Sequence, residues 1–432
     1  MLVTNNSFAL FYSCYIQINI AISSTLNSTF LQNMALSQIK IKSFKSIVDQ
    51  TIDLGQLNVF IGTNGSGKSN LLEAIGVLSA ALDGQVDYNR LSNRGVRLSA
   101  PEVFKSSFKK LKRENTFSLE ATFGELNYHA CINANNDAEF TFSAEALKNS
   151  QKKLGGRSNA GITLDGIGKY PKIPSHSSIV SIVETLGYLS EHEQKELKLI
   201  QQYAIYALST PILRGVSPDN SNKEPLGLYG GGLSTALLSV LNDDNKEIIR
   251  FFSLLDWFKK VGTTETISDK LQSNHVHTGR SVISFTDKFM RSRFNNLYAY
   301  DVSEGALYIL FILVLLLHKK SPALFALDNV DNALNPSMVR ETMNHIIELL
   351  KDMPHKQVLM TTHNPTTLDA IDLFNEQHRL FVVQRNSYGH TEIKRIMPPP
   401  HFTRETWIEK YQAMRLSEIW LSGLIGGIAK GF

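Results

Sequence analysis

The sequence predicts an α/β fold, and two stretches carry that prediction. A β-rich run at Leu57–Ile61 is closed by a glycine-rich segment and followed by Leu71, Leu72, Ala74, Ile75 and Leu78 at helical spacing. Far downstream, the apolar run 306–317 precedes a strand, 323–327, that ends in Asp328; a helix signal at 337–351 and strand signals at 357–361 and 379–384 follow. Alternation of strands with helices of this length is the pattern of a sheet flanked by helices.

Each element has a local reason. Ile39 and Ile41 alternate within a strand at 38–44, and a second strand-like piece spans 48–54. Between 83 and about 300 the signals mix: β-like pieces at 117–123 and 127–133, a Gly/Ser/Pro-rich stretch at 155–178, a helix-like segment at 179–208, a glycine turn at 228–232 and more helical material through 260. This is too long for one loop and reads as a largely helical inserted subdomain. The expected division is an extension over 1–33, a first lobe over 34–100, the insertion over 101–295, a second lobe over 296–395 and a tail over 396–432, whose apolar end around Trp420 docks on the core.

Composition excludes several classes. With 432 residues, 43% of them hydrophobic and 19% charged, the chain has the balance of a globular protein rather than a disordered one. A net charge of +4 tolerates nucleic acid without requiring it. Cys14 and Cys131 cannot build a disulfide framework or a zinc site, and a reducing compartment fits. The apolar run 306–317 has 12 residues, short of the roughly 18–20 that span a bilayer, so no membrane is expected. Residues 1–33 contain no Asp, Glu, Lys or Arg and thus lack the charged start of a secretory signal; a cytoplasmic location follows. The sharp change of composition at Met34 reads as a translation start placed too early rather than as a functional arm.

Gly62-Thr63-Asn64-Gly65-Ser66-Gly67-Lys68-Ser69 satisfies G-x-x-x-x-G-K-[ST], with a strand before it and a helix after. Such a loop wraps phosphate oxygens with backbone N–H groups from Asn64 to Ser69, and Lys68 reaches the β and γ phosphates. Ser69 is a magnesium ligand in this pattern. Asp328, at the C-terminal edge of an apolar strand, is placed to hold the same ion. ATP and Mg2+ are therefore the expected ligands.

Ser303-Glu304-Gly305 before the apolar helix, Asn332-Ala333-Leu334-Asn335-Pro336 after Asp328, and Met360-Thr361-Thr362-His363-Asn364-Pro365 resemble the signature, D-loop and switch histidine of ABC-type ATPases. Within that superfamily the opening IKIKSFKSI, the segment LGQLNVFIGTNGSGKSNLLEAIG and the ending LSEIWLSGLIGG resemble the AAA-15/AAA-21 group, relatives of RecF and OLD-family proteins that include ATPase subunits of antiphage systems such as Septu. The resemblance covers 36–100 and about 280–432 well and the middle loosely. It implies an ABC-type head with a mixed sheet, and ATP sandwiched between the phosphate loop of one subunit and Ser303 and Gly305 of another, in a homodimer or higher oligomer. A separate effector, a nuclease, is the implied partner, because the short tail after His363 leaves no room for a built-in nuclease domain. A RecF-like repair ATPase acting directly on DNA is the alternative. A transporter ATPase is disfavoured by the long gap between Ser69 and Ser303 and by VSEGA standing where LSGGQ would.

One departure from the pattern matters. Asn329 occupies the position where ABC-type enzymes keep a glutamate, and an amide cannot accept a proton at neutral pH. Asp331 or Glu304 would have to substitute, with His363 orienting water, so slow hydrolysis is expected. Lys105, Lys109, Lys110, Lys112 and Arg113, interleaved with Phe104 and Phe108, form a candidate DNA contact, with Lys148, Lys152, Lys153 and Arg157 as a looser second group.

Overall fold

The computed structural model describes residues 35–134, 140–243, 246–252, 255–267, 271–272 and 281–425. The predicted extension over 1–33, Met34 and the last residues of the tail, 426–432, lie outside them.

Two sheets meet across the phosphate loop. The first is eight-stranded and antiparallel, built from β1 (Gln38–Phe44), β2 (Ile47–Asp53), β4 (Thr116–Phe123), β5 (Leu126–Ala134), β6 (Phe140–Lys148), β7 (Lys153–Ser158), β8 (Gly161–Leu164) and β9 (Gly168–Tyr170) in the order β2-β1-β4-β5-β6-β7-β8-β9. The second has the order β10-β14-β15-β3-β16-β17, where β3 is Leu57–Ile61, β10 Ala204–Tyr206, β14 Leu324–Leu327, β15 Gln357–Thr362, β16 His378–Arg385 and β17 Thr391–Ile396. Its pairings are parallel except for β16 with β17. A three-stranded antiparallel sheet, β11 (Phe258–Thr264), β12 (Val282–Asp287) and β13 (Asn296–Tyr298), precedes the long apolar helix.

Both faces of the second sheet are covered, which is why its strands read as continuous apolar runs. Phe60, Ala326, Leu359, Phe381 and Val383 face a core shared with the helix α1 (Lys68–Leu82), the helix α2 (Glu191–Gln201) and the eight-stranded sheet. Val59, Ile61, Phe325, Leu327, Met360 and Val382 face a core shared with α3 (Leu233–Asn242), α4 (Glu304–Leu317) and α5 (Pro336–Lys351). Period-two alternation splits the side chains between the two cores. Phe60 and Phe381 stack across β3 and β16 at 4.7 Å between ring centroids. Among the described residues no helix is long and apolar enough to cross a membrane.

The middle of the chain departs from the predicted largely helical insertion. Its first part is β4 to β9, which extends the sheet begun by β1 and β2: β1 pairs with β4 from Gln38↔Thr122 to Lys42↔Ser118. The Gly/Ser/Pro-rich stretch supplies β7, β8 and β9, whose turns use Gly161, Gly166 and Gly168 at positive φ. The expected helix 179–208 is broken: Gly187 (φ 68°) ends a short helix at Ile179–Thr185, and a capping box between Ser190 and Glu193 starts α2. The same stretch ends in β10, the edge strand of the nucleotide-side sheet. The helical material expected through 260 gives way at Phe258 to β11, where Phe258 and Val261 are buried beside exposed lysines.

Candidate nucleotide site

β3 is buried along its whole length and carries Gly62 to the C-terminal edge of the sheet. The loop that follows is held so tightly that glycine is required twice. A Cβ on Gly62 would stand 2.1 Å from the Val383 carbonyl of β16. Gly67 has φ 110°, and a Cβ there would stand 2.1 Å from Thr391 Oγ1. Thr391, 1% exposed, donates its hydroxyl to the Ser66 carbonyl at 2.7 Å and lies 2.7 Å from Ser46 Oγ. Ser46 Oγ also accepts from Asn70 Nδ2 at 2.6 Å. The β1–β2 turn and the start of β17 thereby clamp the loop from below.

Lys68 and Ser69 open α1 directly above this clamp. Lys68 Nζ donates to the carbonyls of Gly62 at 2.6 Å and Thr63 at 3.1 Å. Burial lowers the Lys68 pKa, while Asp328 and Asp331 pull it back up, so both carboxylates act on this ammonium. Ser69 Oγ donates to Asp328 Oδ2 at 2.9 Å. The other Asp328 oxygen accepts from the Thr361 hydroxyl of β15, and the Asp328 N–H donates to Tyr206 O of β10 at 2.9 Å. Asp328 is thus fixed by both neighbouring strands. The chain then turns sharply: Asn329 has φ 56°, a conformation asparagine tolerates, and its N–H donates to Thr361 Oγ1 at 2.8 Å. The turn brings Asp331 back to the site, with its side chain 2% exposed, its Oδ1 without a hydrogen-bond partner and its Oδ2 3.7 Å from His363 Nδ1.

Two family models match the chain, on either side of its middle. The AAA ATPase domain model matches residues 34–205, which hold the phosphate loop, and the model described as AAA domain, putative AbiEii toxin, Type IV TA system matches residues 232–369, which hold Asp328 and His363. The chain is an ABC-type P-loop ATPase. No curated protein matches it. Solved structures similar to it include the SMC head domain from Thermotoga maritima, at 15% identity and TM-score 0.41, covering 84% of this chain and 99% of that one. An SmcHead bound to the C-winged helix domain of ScpA has 12% identity and TM-score 0.49, covering 84% and 98%. An Smc head domain with an extended coiled coil, bound to the C-terminal domain of ScpA derived from Pyrococcus furiosus, has 11% identity and TM-score 0.43, covering 87% and 98%.

The residues present fit a magnesium nucleotide. Ser66 Oγ, on a residue 2% exposed, has no hydrogen-bond partner, and neither has Asp331 Oδ1. A hydroxyl and a carboxylate, Ser69 and Asp328, already converge as a hard oxygen pair beside Lys68. Buried polar atoms without partners are rare unless something else satisfies them, and phosphate oxygens and a hydrated cation would.

The other predicted residues of this ABC-type ATPase lie apart from that convergence. Ser303 is exposed, and its hydroxyl accepts from the Ala306 N–H at 3.4 Å, capping α4. Glu304 hydrogen-bonds to the Thr210 hydroxyl, so its carboxylate is engaged on its own chain. A Cβ on Gly305 would stand 3.1 Å from the Ala333 carbonyl, so the signature turn packs on the D-loop of the same chain. The basic cluster is not five free cations. Phe104 is fully buried, and Lys105, 6% exposed, pairs with Glu102 at 3.1 Å. Arg113 also pairs with Glu102. Lys109, Lys110 and Lys112 are exposed, with Lys110 Nζ 5.7 Å from the Tyr388 ring centroid. In the looser group Lys152 pairs with Asp165 and Arg157 with the buried Glu145, while Lys148 and Lys153 are exposed. Adjacency in sequence counted charge without its partners.

Sequence reasoning missed an ion cluster beneath the loop, in which the side chains of Lys45 and Glu73 are buried and that of Arg97 is exposed. Glu73 of α1, 2% exposed, accepts from both Lys45 of the β1–β2 turn and Arg97, and Arg97 also donates to Asn70 Oδ1 at 2.9 Å. Burial lowers the Lys45 pKa against the pull of Glu73, and the hydrogen bond to Glu73 raises that of Arg97. Arg385, at the end of β16, donates to the Gly65 carbonyl at 2.9 Å. No local motif marks either contact; the one signal is Glu73 interrupting the apolar run Leu71–Leu78 of α1.

Proposed function

We propose that the protein is an ATP-driven assembly switch that hydrolyses slowly and regulates or positions a separate effector, a nuclease, in bacterial antiphage defence. The observation that carries the switch is the carboxylate arrangement at the phosphate loop. Asp328 is held against Ser69 as a cation ligand, while the next position is an amide on a left-handed turn. When bound, the magnesium ion would neutralise charge on the transferring phosphoryl group. Lys68 would leave the Gly62 and Thr63 carbonyls to take up phosphate, and Ser66 would donate its unpartnered hydroxyl. Asp331 is the carboxylate left to accept a proton from water, with His363 beside it, and Glu304 is held by Thr210. The cap position of Ser303 leaves it on the surface, where a second copy can bring its phosphate loop to it.

The effector half of the proposal is supported by the motif resemblance to antiphage ATPase subunits and by the matching model's description as a toxin of a type IV system, which implies a multi-component setting. Mass in solution with and without ATP and magnesium, with phosphate release from the same sample, tests the switch. ATP-dependent assembly with release well below about 1 per second supports it; release at or above that rate, rising with DNA, would favour the repair-type motor instead. Co-purification with the product of an adjacent nuclease gene tests the effector.

A further inference from the structure

The turn between β12 and β13 carries Lys288-Phe289-Met290-Arg291-Ser292-Arg293-Phe294, and all seven residues are exposed. Phe289 is 74% exposed and Phe294 45%. The turn is well built. Asp287 Oδ1 accepts from the N–H groups of Phe289 at 2.7 Å and Met290 at 3.2 Å, and the Asp287 N–H donates to Asn295 O at 2.8 Å. Lys288 N–H donates to Trp257 O at 2.9 Å, and Phe294 N–H to Arg291 O at 2.8 Å. Beneath it the sheet has its own aromatic core of Phe252, Phe258 and Phe285, so packing does not require the two phenyl rings in water. Among the described residues no carboxylate pairs with Lys288, Arg291 or Arg293, and Asp287 is committed to backbone N–H groups. Lys288 Nζ lies 5.0 Å from the Phe289 ring centroid.

We propose that this turn binds single-stranded nucleic acid, with unpaired bases stacking on Phe289 and Phe294 and phosphates held by Lys288, Arg291 and Arg293. Stacking needs only an accessible ring face, and two exposed phenyl rings set among three exposed cations match the alternation of base and phosphate along a single strand. A duplex hides its base faces and would use only the cations. The site is separate from the Lys109–Lys112 patch and does not rest on the ATPase switch. Along the chain it leads through β13 to Ser303, so a bound strand lies just upstream of the signature turn.

The test is fluorescence anisotropy on the full-length protein with labelled oligothymidylate and oligouridylate of about 20 nucleotides and a duplex of the same length, from about 50 to about 200 mM salt. Phe289→Ala with Phe294→Ala should weaken single-strand binding about tenfold or more while leaving the salt slope unchanged. Arg291→Gln with Arg293→Gln should reduce that slope by about 1 to 2. Lys195→Gln with Lys198→Gln, on the exposed face of α2, should change neither, and the stronger of the two homopolymers identifies DNA or RNA as the source. These substitutions lie on exposed side chains, and an unchanged melting temperature verifies the fold. The proposal is overturned if the wild type binds no single strand at low salt, if it binds duplex as tightly, or if the double phenylalanine variant binds like wild type. ATP-dependent mass measured on the same variants is a separate readout, so failure of the switch would show as lost assembly with strand binding intact.

Discussion

Asp331 Oδ2 stands 3.7 Å from His363 Nδ1 while its Oδ1, buried, has no partner. The pair joins the turn after β14 to the residue that follows β15, and Lys68 feels the charge of Asp331 as well as that of Asp328. Asp331→Asn should therefore abolish the residual phosphate release, by about a hundredfold or more, and leave ATP-dependent assembly intact. Release and mass measured on the same sample check it; release at the wild-type rate would remove Asp331 from the chemistry.

Assembly should depend on two residues far apart in the chain. Lys68→Ala removes the ammonium that leaves the Gly62 and Thr63 carbonyls for phosphate, and should weaken ATP binding itself. Ser303→Arg places a bulky cation at an exposed cap and should leave each chain able to bind ATP while blocking the ATP-dependent increase in mass. Nucleotide titration and light scattering separate the two effects. Assembly of both variants in saturating ATP at the wild-type level would refute the sandwich.

Thr391→Val tests the clamp below the phosphate loop. The substitution keeps the shape but strips the hydroxyl from between Ser66 O and Ser46 Oγ, leaving buried polar groups unpaired at a cost of about 1–3 kcal/mol. The ATP-induced rise in melting temperature should shrink along with the apo melting temperature. An unchanged ATP-induced rise would mean that the loop holds its shape without β17.

What was legible in the chain was local. Eight consecutive residues, 62–69, and one apolar strand ending in Asp328 carry the phosphate and cation groups because glycine freedom, helix start and strand burial all act over a few positions. What was missed depends on residues that meet only after folding. Thr391 reaches Ser66 across 325 positions, and Thr361 reaches Asp328 across 33. The strands β7 to β9 are short and glycine-rich, so their alternation is weak, and they were absorbed into an expected helical insertion. Lys105 counted as a surface cation because sequence shows charge and not burial, whereas Glu102 one helical turn earlier takes it inside.

Lys356, 5% exposed and immediately before β15, donates to the carbonyls of Ser321 and Pro322 at 3.1 Å each. Burial pushes its pKa from 10.5 down to about 8. Because the unfolded chain holds this proton more tightly, stability attributable to Lys356 should rise as pH climbs from about 8 towards 10.5, and the cost of burying the charge is fully present below about 8. The stability of the wild type relative to Lys356→Met, read from melting curves, should therefore rise with pH across that window. A difference that stays constant or shifts towards the variant would show that the ammonium is not strained by its burial.

The last prediction concerns the amide beside Asp328. If slow turnover comes from the missing glutamate, Asn329→Glu should raise phosphate release about tenfold or more, at a folding cost of about 1–2 kcal/mol for placing glutamate at φ 56°. The Asn329 N–H would still donate to Thr361 Oγ1, so the turn that returns Asp331 to the site is kept. Faster release should shorten the lifetime of the ATP-assembled species, which a dilution experiment followed by light scattering would read directly. Unchanged release in a variant that still binds ATP would locate the slow step outside proton transfer, in opening of the assembled sites rather than in the carboxylate that position 329 lacks.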